Sequence, residues 1–432
     1  MCDTLPAQIS LNRVPEMKHN EYSHLAWFCT LILFAQLAVA QVPCEYEVTT
    51  LQFPIDCGLG TVLTTGLSLN ENGAVVGIYR CPISQFFQGF LWTAEAGFEA
   101  LDPPDGVVEV FPTDINDAGI ICGSMYVWEV GYRGFVYDNG EWTILPPVVD
   151  VPGARSSANA INNAGIVAGQ RSLTKGPTPE NAYMWSAERG FTDLGVLKGP
   201  NSGAFDISQG GLIGGWTGTT FFEDDSIAVL WENERPVEIG SIPGGFATYV
   251  RAVAEDGTAL LNGRIKMGEF SVLLAHLWQD GKFTLIAPLR GFDTSGAADM
   301  NDALLATGRS VKLDAPTDPR GYLWQSGSTF DLNDLLGGDS PILVETGAAV
   351  SNAGQIVANG QDARGDVVAF LLTPLSGPLG DLDHDCQVGV ADLLILLRHW
   401  GPCVPGRDCI ADLNGDGIVG AADLLILLVN WG

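Results

Sequence analysis

The chain has few cationic side chains and fewer histidines. Its 432 residues hold 21 Lys and Arg against 51 Asp and Glu, a formal net charge of −30. Nucleic acid is therefore a poor fit, because phosphate binding needs clustered Lys and Arg. Acidity on this scale speaks to solubility and cation binding rather than to fold. Five histidines are present, and only His276, His384 and His399 lie beyond the N-terminal leader. That scarcity argues against a histidine metal centre or a catalytic triad. Helical periodicity is missing over most of the chain. Apart from one N-terminal run, nothing approaches the ~20 apolar residues that a spanning helix needs.

The N-terminal run goes from Leu25 to Ala35 and on through Leu37 to Ala40. Ala38-Val39-Ala40 before Gln41 is a small-residue cleavage pattern, so residues 1–40 read as an export signal. The leading segment is long and partly acidic. A start at Met17, followed by Lys18, gives a more ordinary signal, and Met1 and Met17 both stand as possible starts. The expected location is secreted, extracellular or at the cell surface. Of nine cysteines, Cys2 and Cys29 leave with the leader. Cys44, Cys57, Cys81, Cys122, Cys386, Cys403 and Cys409 remain, so disulfides are expected and an odd thiol is left over. Cys403 and Cys409 are the candidate partners of Cys386.

What the chain has in abundance is repetition. A five-residue turn motif recurs at Leu69–Gly73, Ile115–Gly119, Ile161–Gly165, Ile207–Gly211, Val253–Gly257, Met300–Leu304 and Val350–Gly354. Successive copies start 46, 46, 46, 46, 47 and 50 residues apart. Such a period marks units that bury their apolar faces only by stacking on neighbours. After each turn comes a β-rich run ending in Gly, such as Ala74–Gly77. An aromatic run such as Phe90–Trp92 follows, then a strand-like piece such as Phe98–Leu101. Four short strands per unit is the signature of a propeller blade. Seven units predict an all-β, seven-bladed β-propeller over residues 41–376. A parallel β-helix is the competing repeat fold. The seventh unit stops at Phe370–Leu372 without its fourth strand, and an unclaimed strand lies at Tyr46–Leu51. Pairing the two would close the ring and remove sheet edges.

The array resembles the HAF family of probable extracellular repeats, whose pattern is an I-N-x-x-G turn, a V-V-G run and an aromatic L-W run. The resemblance covers about residues 45–374 and implies architecture more than activity. Ser208 and Ala254 replace the turn Asn, and Leu304 replaces the turn Gly, so altered turns are expected there. Asn70, Asn116, Asn162 and Asn301 read as turn-formers rather than ligand contacts. Trp92, Trp185, Trp231, Trp278 and Trp324 read as packing between blades.

After residue 378 a different unit appears twice, 31 residues apart. The first copy presents Asp381, Asp383, Asp385, Gln387 and Asp392, and the second Asp412, Asn414, Asp416, Ile418 and Asp423. Oxygens at loop positions one, three, five and twelve, with a backbone carbonyl at seven, are what Ca²⁺ takes. Two Ca²⁺ sites are expected. Gly417 at position six allows the sharp turn of the second loop, while Cys386 stands there in the first. Apolar helices follow at Leu393–Leu397 and Leu424–Leu428. Residues 379–432 resemble a type I dockerin domain. That implies calcium binding and docking to a cohesin-like module, often in polysaccharide-degrading assemblies. Positions ten and eleven, where hydroxyl residues often help recognise cohesin, are Val390-Ala391 and Ala421-Ala422.

Two functions follow. The first is a secreted, non-catalytic binding or scaffold propeller held to a partner or cell-surface component through the calcium-binding tail, with carbohydrate as a candidate ligand. The second is an extracellular polysaccharide-degrading enzyme, a glycoside hydrolase or lyase, carrying a dockerin. A glycosidase needs two carboxylates across a cleft. Glu223, Asp224 and Asp225 are off-pattern candidates, though a solvated acidic loop explains them. Sialidase-type Ser-x-Asp-x-Gly boxes are missing, and the regular array favours the first reading.

Overall fold

Short β-branched and aromatic runs between Asn- and Gly-marked turns pair with their sequence neighbours, since a short hairpin loop is the cheapest to close. The computed structural model follows that rule within the repeats, except for the strand that completes the last one. It describes residues 43–432 apart from 52–61, 83, 149–152, 175–178, 222–223, 338–339, 376, 384–385 and 405–408. The leader at 1–40, Cys57, Glu223, His384 and Asp385 lie outside the described residues.

Each turn motif joins the first and second strands of a four-stranded antiparallel meander. The first comprises β2 (Leu63–Leu69), β3 (Val75–Arg80), β4 (Gln88–Thr93) and β5 (Gly97–Ala100). Among the described residues, five four-stranded sheets stand alone. A further sheet of eight strands contains two meanders, 245–286 and 294–331, joined by one parallel pair, Leu274 with Ser295. The fold is all-β and propeller-like. Antiparallel ladders within each unit rule out the parallel β-helix.

The last meander takes its outer strand from the other end of the chain. β1 (Tyr46–Leu51) runs antiparallel to the strand Val367–Pro374, from Tyr46 opposite Pro374 to Leu51 opposite Ala369. The apolar side chains pool between successive meanders. One cluster joins Ala74, Val76 and Leu101 of the first meander to Val110, Ile121 and Phe135 of the second. Another joins Leu51, Val357 and Leu371 of the last to Leu69, Val75 and Phe90 of the first, so the series is cyclic. Trp231 and Trp324 are buried in such clusters, and Trp92, Trp185 and Trp278 pack at their edges. The Gly ending each Val-rich run has a steric cause. A Cβ on Gly77 would lie 2.2 Å from the Thr65 carbonyl and 2.7 Å from the Phe90 ring, and Gly123 is boxed in the same way by Phe111 and Phe135.

The tail has its own small core of Leu382, Val388, Leu396, Ala411, Val419 and Leu427. Its helices, α1 (Val390–Arg398) and α2 (Ala421–Val429), each start directly after an acidic loop. The cysteine pairing differs from expectation. Cys386 is bonded to Cys44, 342 residues away, and Cys403 is bonded to Cys409. The reason is topological: the closing strand brings residue 44 to the end of the propeller from which the tail departs. Cys122 is free and buried, and burial pushes its thiol pKa well up. Among the described residues, no helix is long and apolar enough to cross a membrane.

Candidate functional site

Two places concentrate polar chemistry: the ring of motif turns and the paired loops of the tail. In the Asn turns, the side chain first shapes its own turn. Asn70 Oδ1 accepts the amides of Asn72 and Ala74 at 3.1 and 3.0 Å. Its Nδ2 then reaches the next unit, donating to the Asn116 carbonyl at 2.9 Å, and Asn116, Asn162 and Asn301 do the same to Asn162, Ser208 and Ser351. The Asn residues are structural, as expected, but they bridge units as well as turns.

The substituted turns are not altered. The amides of Gly211, Gly257 and Leu304 donate to the carbonyls of Ser208, Ala254 and Asn301 at 3.0, 3.1 and 3.0 Å, as Gly73 does to Asn70 at 3.1 Å. Leu304 adopts φ +58° in the place of the motif Gly. Replacement acceptors explain the tolerance. Ser208 Oγ takes the Leu212 amide, and Asp256 Oδ1 takes the Thr258 amide where Ala254 has nothing to offer.

The third motif residues form a closed belt, with the neighbouring Gly210 amide taking the place of Gln209's at one step. Glu71 N donates to Asp117, Asp117 N to Asn163, and Asn163 N to Gln209. Gly210 N donates to Glu255, Glu255 N to Asp302, Asp302 N to Asn352, and Asn352 N back to Glu71. The belt surrounds a cavity of about 150 Å³. Three carboxylates that sequence reasoning missed, Asp114, Asp206 and Asp299, line it. Each lies one residue before a motif, on alternate units, and accepts the amide of Ile161, Val253 or Val350 in the next unit. Burial pushes Asp114 up to about 6 despite those donors. Burial and then the charge of Asp206 push Asp299 up to about 7, and burial raises Asp206. Their signal was present in the sequence as an Asp recurring on every second repeat. They are not among the carboxylates whose oxygens come within 4.8 Å of one another, so they do not form a single-ion centre.

Among the described residues, the tail loops repeat one another in three hydrogen bonds. Asp392 Oδ1 accepts the Asp383 amide at 3.0 Å and its Oδ2 accepts Gly389 at 2.7 Å; Asp423 takes Asn414 at 3.1 Å and Gly420 at 2.7 Å. Asp381 Oδ2 accepts Cys386 N at 3.0 Å, as Asp412 Oδ2 accepts Gly417 N at 2.8 Å. Burial pushes the Asp392 and Asp423 carboxyls up, but the backbone donors outweigh it and hold both below the usual range. Cys386 has φ +72° and Gly417 +85°, so position six is left-handed in both loops despite the side chain on Cys386. Asp381, Asp383 and Asp392 bring carboxylate oxygens within 4.8 Å of one another. Asp416 joins the second loop by accepting the Ile418 amide and donating its own to Asn414 Oδ1. Gln387 and Ile418, the expected carbonyl donors, are exposed at equivalent points. An all-oxygen set on loops of this curvature fits a hard divalent cation. The two cysteine-containing clusters do not, because their sulfurs are spent in disulfides.

The off-pattern acids do not assemble a catalytic pair among the described residues. Asp224 forms an exposed ion pair with Lys266 at 3.2 Å. Asp225 caps Thr219, whose hydroxyl lowers its pKa.

No family model matches the chain, and no curated protein does. Among solved structures it is similar to a puromycin-hydrolysing peptidase from Mycobacterium tuberculosis, with 12% identity and TM-score 0.47 over 77% of this chain and 55% of that one. It is also similar to a sialidase from Trypanosoma rangeli, with 12% identity and TM-score 0.33 over 79% and 59%. A gluconolactonase from Xanthomonas campestris gives 12% identity and TM-score 0.35 over 79% and 93%. The chain thus spans little more than half the length of the peptidase and the sialidase. At these scores the likenesses carry no argument about chemistry.

Proposed function

We propose that the chain is an exported, non-catalytic binding or scaffold protein of the HAF-repeat type, a propeller of seven four-stranded blades. A dockerin-like module at residues 379–432 would tether it through two calcium sites to a cohesin-like or cell-surface partner. The observation that carries this reading is the three hydrogen bonds the two tail loops share, with position six left-handed in each. Calcium would be held by Asp381, Asp383, Asp385, the Gln387 carbonyl and Asp392, and by Asp412, Asn414, Asp416, the Ile418 carbonyl and Asp423. It would neutralise carboxylates that otherwise repel one another and lock each loop to its helix. Two disulfides support an oxidising compartment.

Calorimetric titration of residues 41–432 with Ca²⁺ tests this. Two sites are expected, and Asp412→Ala with Asp423→Ala should remove one. Unchanged stoichiometry would remove those residues as ligands. Release of products from a polysaccharide by the purified protein would overturn the non-catalytic reading.

A further inference from the structure

In a meander, the first-to-second and third-to-fourth turns share one end, and the second-to-third connections lie at the other. The chain leaves the propeller at Pro374, opposite Tyr46, at the motif-turn end. The other end carries aromatic side chains in the open. Phe86 and Trp128 are exposed on second-to-third connections, and Phe270 at the start of a third strand, in three different units. Phe87, Phe111, Tyr132 and Tyr126 form a row across the first two units, with ring centroids 6.0, 6.5 and 5.2 Å apart.

Beside this row a cavity of about 410 Å³ opens between the second and third units, lined by Phe111, Tyr132, Arg155, Ser157, Gln170 and Glu180. Glu180 is buried, and Arg155 Nε holds one of its oxygens. Gln170 Nε2 donates to the other at 3.3 Å. That bond fixes the amide so that Gln170 Oε1 faces away from Glu180, buried and without a partner. Trp216 Nε1 is also buried and unpartnered. Both atoms close on Gly203, where a Cβ would meet them at 2.2 and 2.4 Å. They face the seam with the fourth unit and not the cleft. The Arg155 side chain is half-exposed, and its terminal nitrogens pair with no described residue.

We propose that this cleft binds pyranose units of a neutral polysaccharide. A sugar ring stacks on Tyr132 and Phe111, whose faces suit its apolar C–H side. Vicinal hydroxyls accept from the Arg155 terminal nitrogens, which have no described partner. The net charge of −30 disfavours polyanionic glycans. An apolar partner would leave the Arg155 terminal nitrogens unsatisfied. The inference rests on the propeller being a binder rather than an enzyme.

The test is calorimetry of residues 41–432 with cellohexaose, xylohexaose and mannohexaose. At least one should bind saturably. Tyr132→Ala should weaken that binding about tenfold, while Tyr132→Phe keeps it within about twofold. Phe270→Ala, on another unit, should leave it unchanged. Saturable binding that Tyr132→Ala leaves intact, in a variant that melts like the parent, would remove this cleft but not the binder reading. Heat from none of the three sugars would remove the ligand class and leave the calcium titration standing. Shortened sugars in the cell would remove the binder reading itself.

Discussion

The Asn352 amide donates to both carboxylate oxygens of Glu71, at 2.9 and 3.1 Å, across 281 residues of sequence. It is the step that returns the belt of third motif residues to its start. Closure therefore occurs twice, once by this side chain and once by the whole of β1 lying against Val367–Pro374. The two are unequal. Glu71 is exposed, and an exposed charge-assisted contact contributes about 0–1 kcal/mol. Leu51 is fully buried between the last and first meanders, where truncation costs about 2–5 kcal/mol.

Leu51→Ala should therefore lower the unfolding free energy by about 2–5 kcal/mol, and Glu71→Ala by less than about 1 kcal/mol. Urea titration of both variants gives the comparison. If Glu71→Ala proves the more damaging, the belt and not the strand closes the ring.

The axial carboxylates make stability depend on pH. Burial raises Asp114 to about 6 and Asp299 to about 7. A folded-state pKa above the unfolded one means that the folded chain holds extra protons between the two values. That stabilisation is complete below the unfolded carboxyl pKa of about 3.9 and is lost as pH rises through about 6 to 7. Asp299→Asn keeps an acceptor for the Val350 amide but does not titrate. Its melting temperature should fall less than the parent's between about pH 5 and pH 8, and should exceed it at the upper end. Parallel melting profiles would show that Asp299 is already ionised in the folded protein across this range, its pKa not raised by burial.

Much of the propeller was legible because its turns are local. An Asn four residues before the amide it caps imposes a tight turn wherever it stands, so a repeating Asn reported a repeating hairpin. The strand at Tyr46–Leu51 could be found because a unit lacking one strand leaves a countable gap. The tolerance of Ala254 could not, since the acceptor that replaces the Asn side chain comes from Asp256. The Cys44–Cys386 bond was hidden as well: only after β1 closes the ring does residue 44 come to the tail. Asp114, Asp206 and Asp299 were visible as a spacing of 92 and 93 residues, twice the motif period, and were passed over because they precede the motif.

Ser351 offers a gain. Asn70, Asn116, Asn162 and Asn301 each donate from Nδ2 to the next turn's carbonyl, but Ser351 lacks that reach and caps only its own turn, through Gln355 N at 3.2 Å. Ser351→Asn should extend the series to the Asn70 carbonyl across the closure. The expected stabilisation is about 0.5–1.5 kcal/mol, read as a higher urea midpoint. A lower midpoint would mean that the larger side chain does not fit the axis.

The Cys44–Cys386 bond ties the closing strand to position six of the first tail loop, and the two roles can be separated. Cys386 sits at φ +72°, a conformation that a residue with a Cβ adopts at a cost of about 1–2 kcal/mol and Gly adopts freely. Cys44→Ser with Cys386→Gly therefore unties the strand while leaving the loop its shape. Propeller stability should fall by about 2–5 kcal/mol, and calcium stoichiometry should stay at the parent value. Cys44→Ser with Cys386→Ala loses the same bond but must hold Ala in the left-handed region. It should show the same loss of propeller stability together with weaker calcium binding at the first loop. Thermal melts and calorimetric titrations of the two variants give both readouts. Identical calcium binding would show that the loop's curvature does not depend on what stands at residue 386.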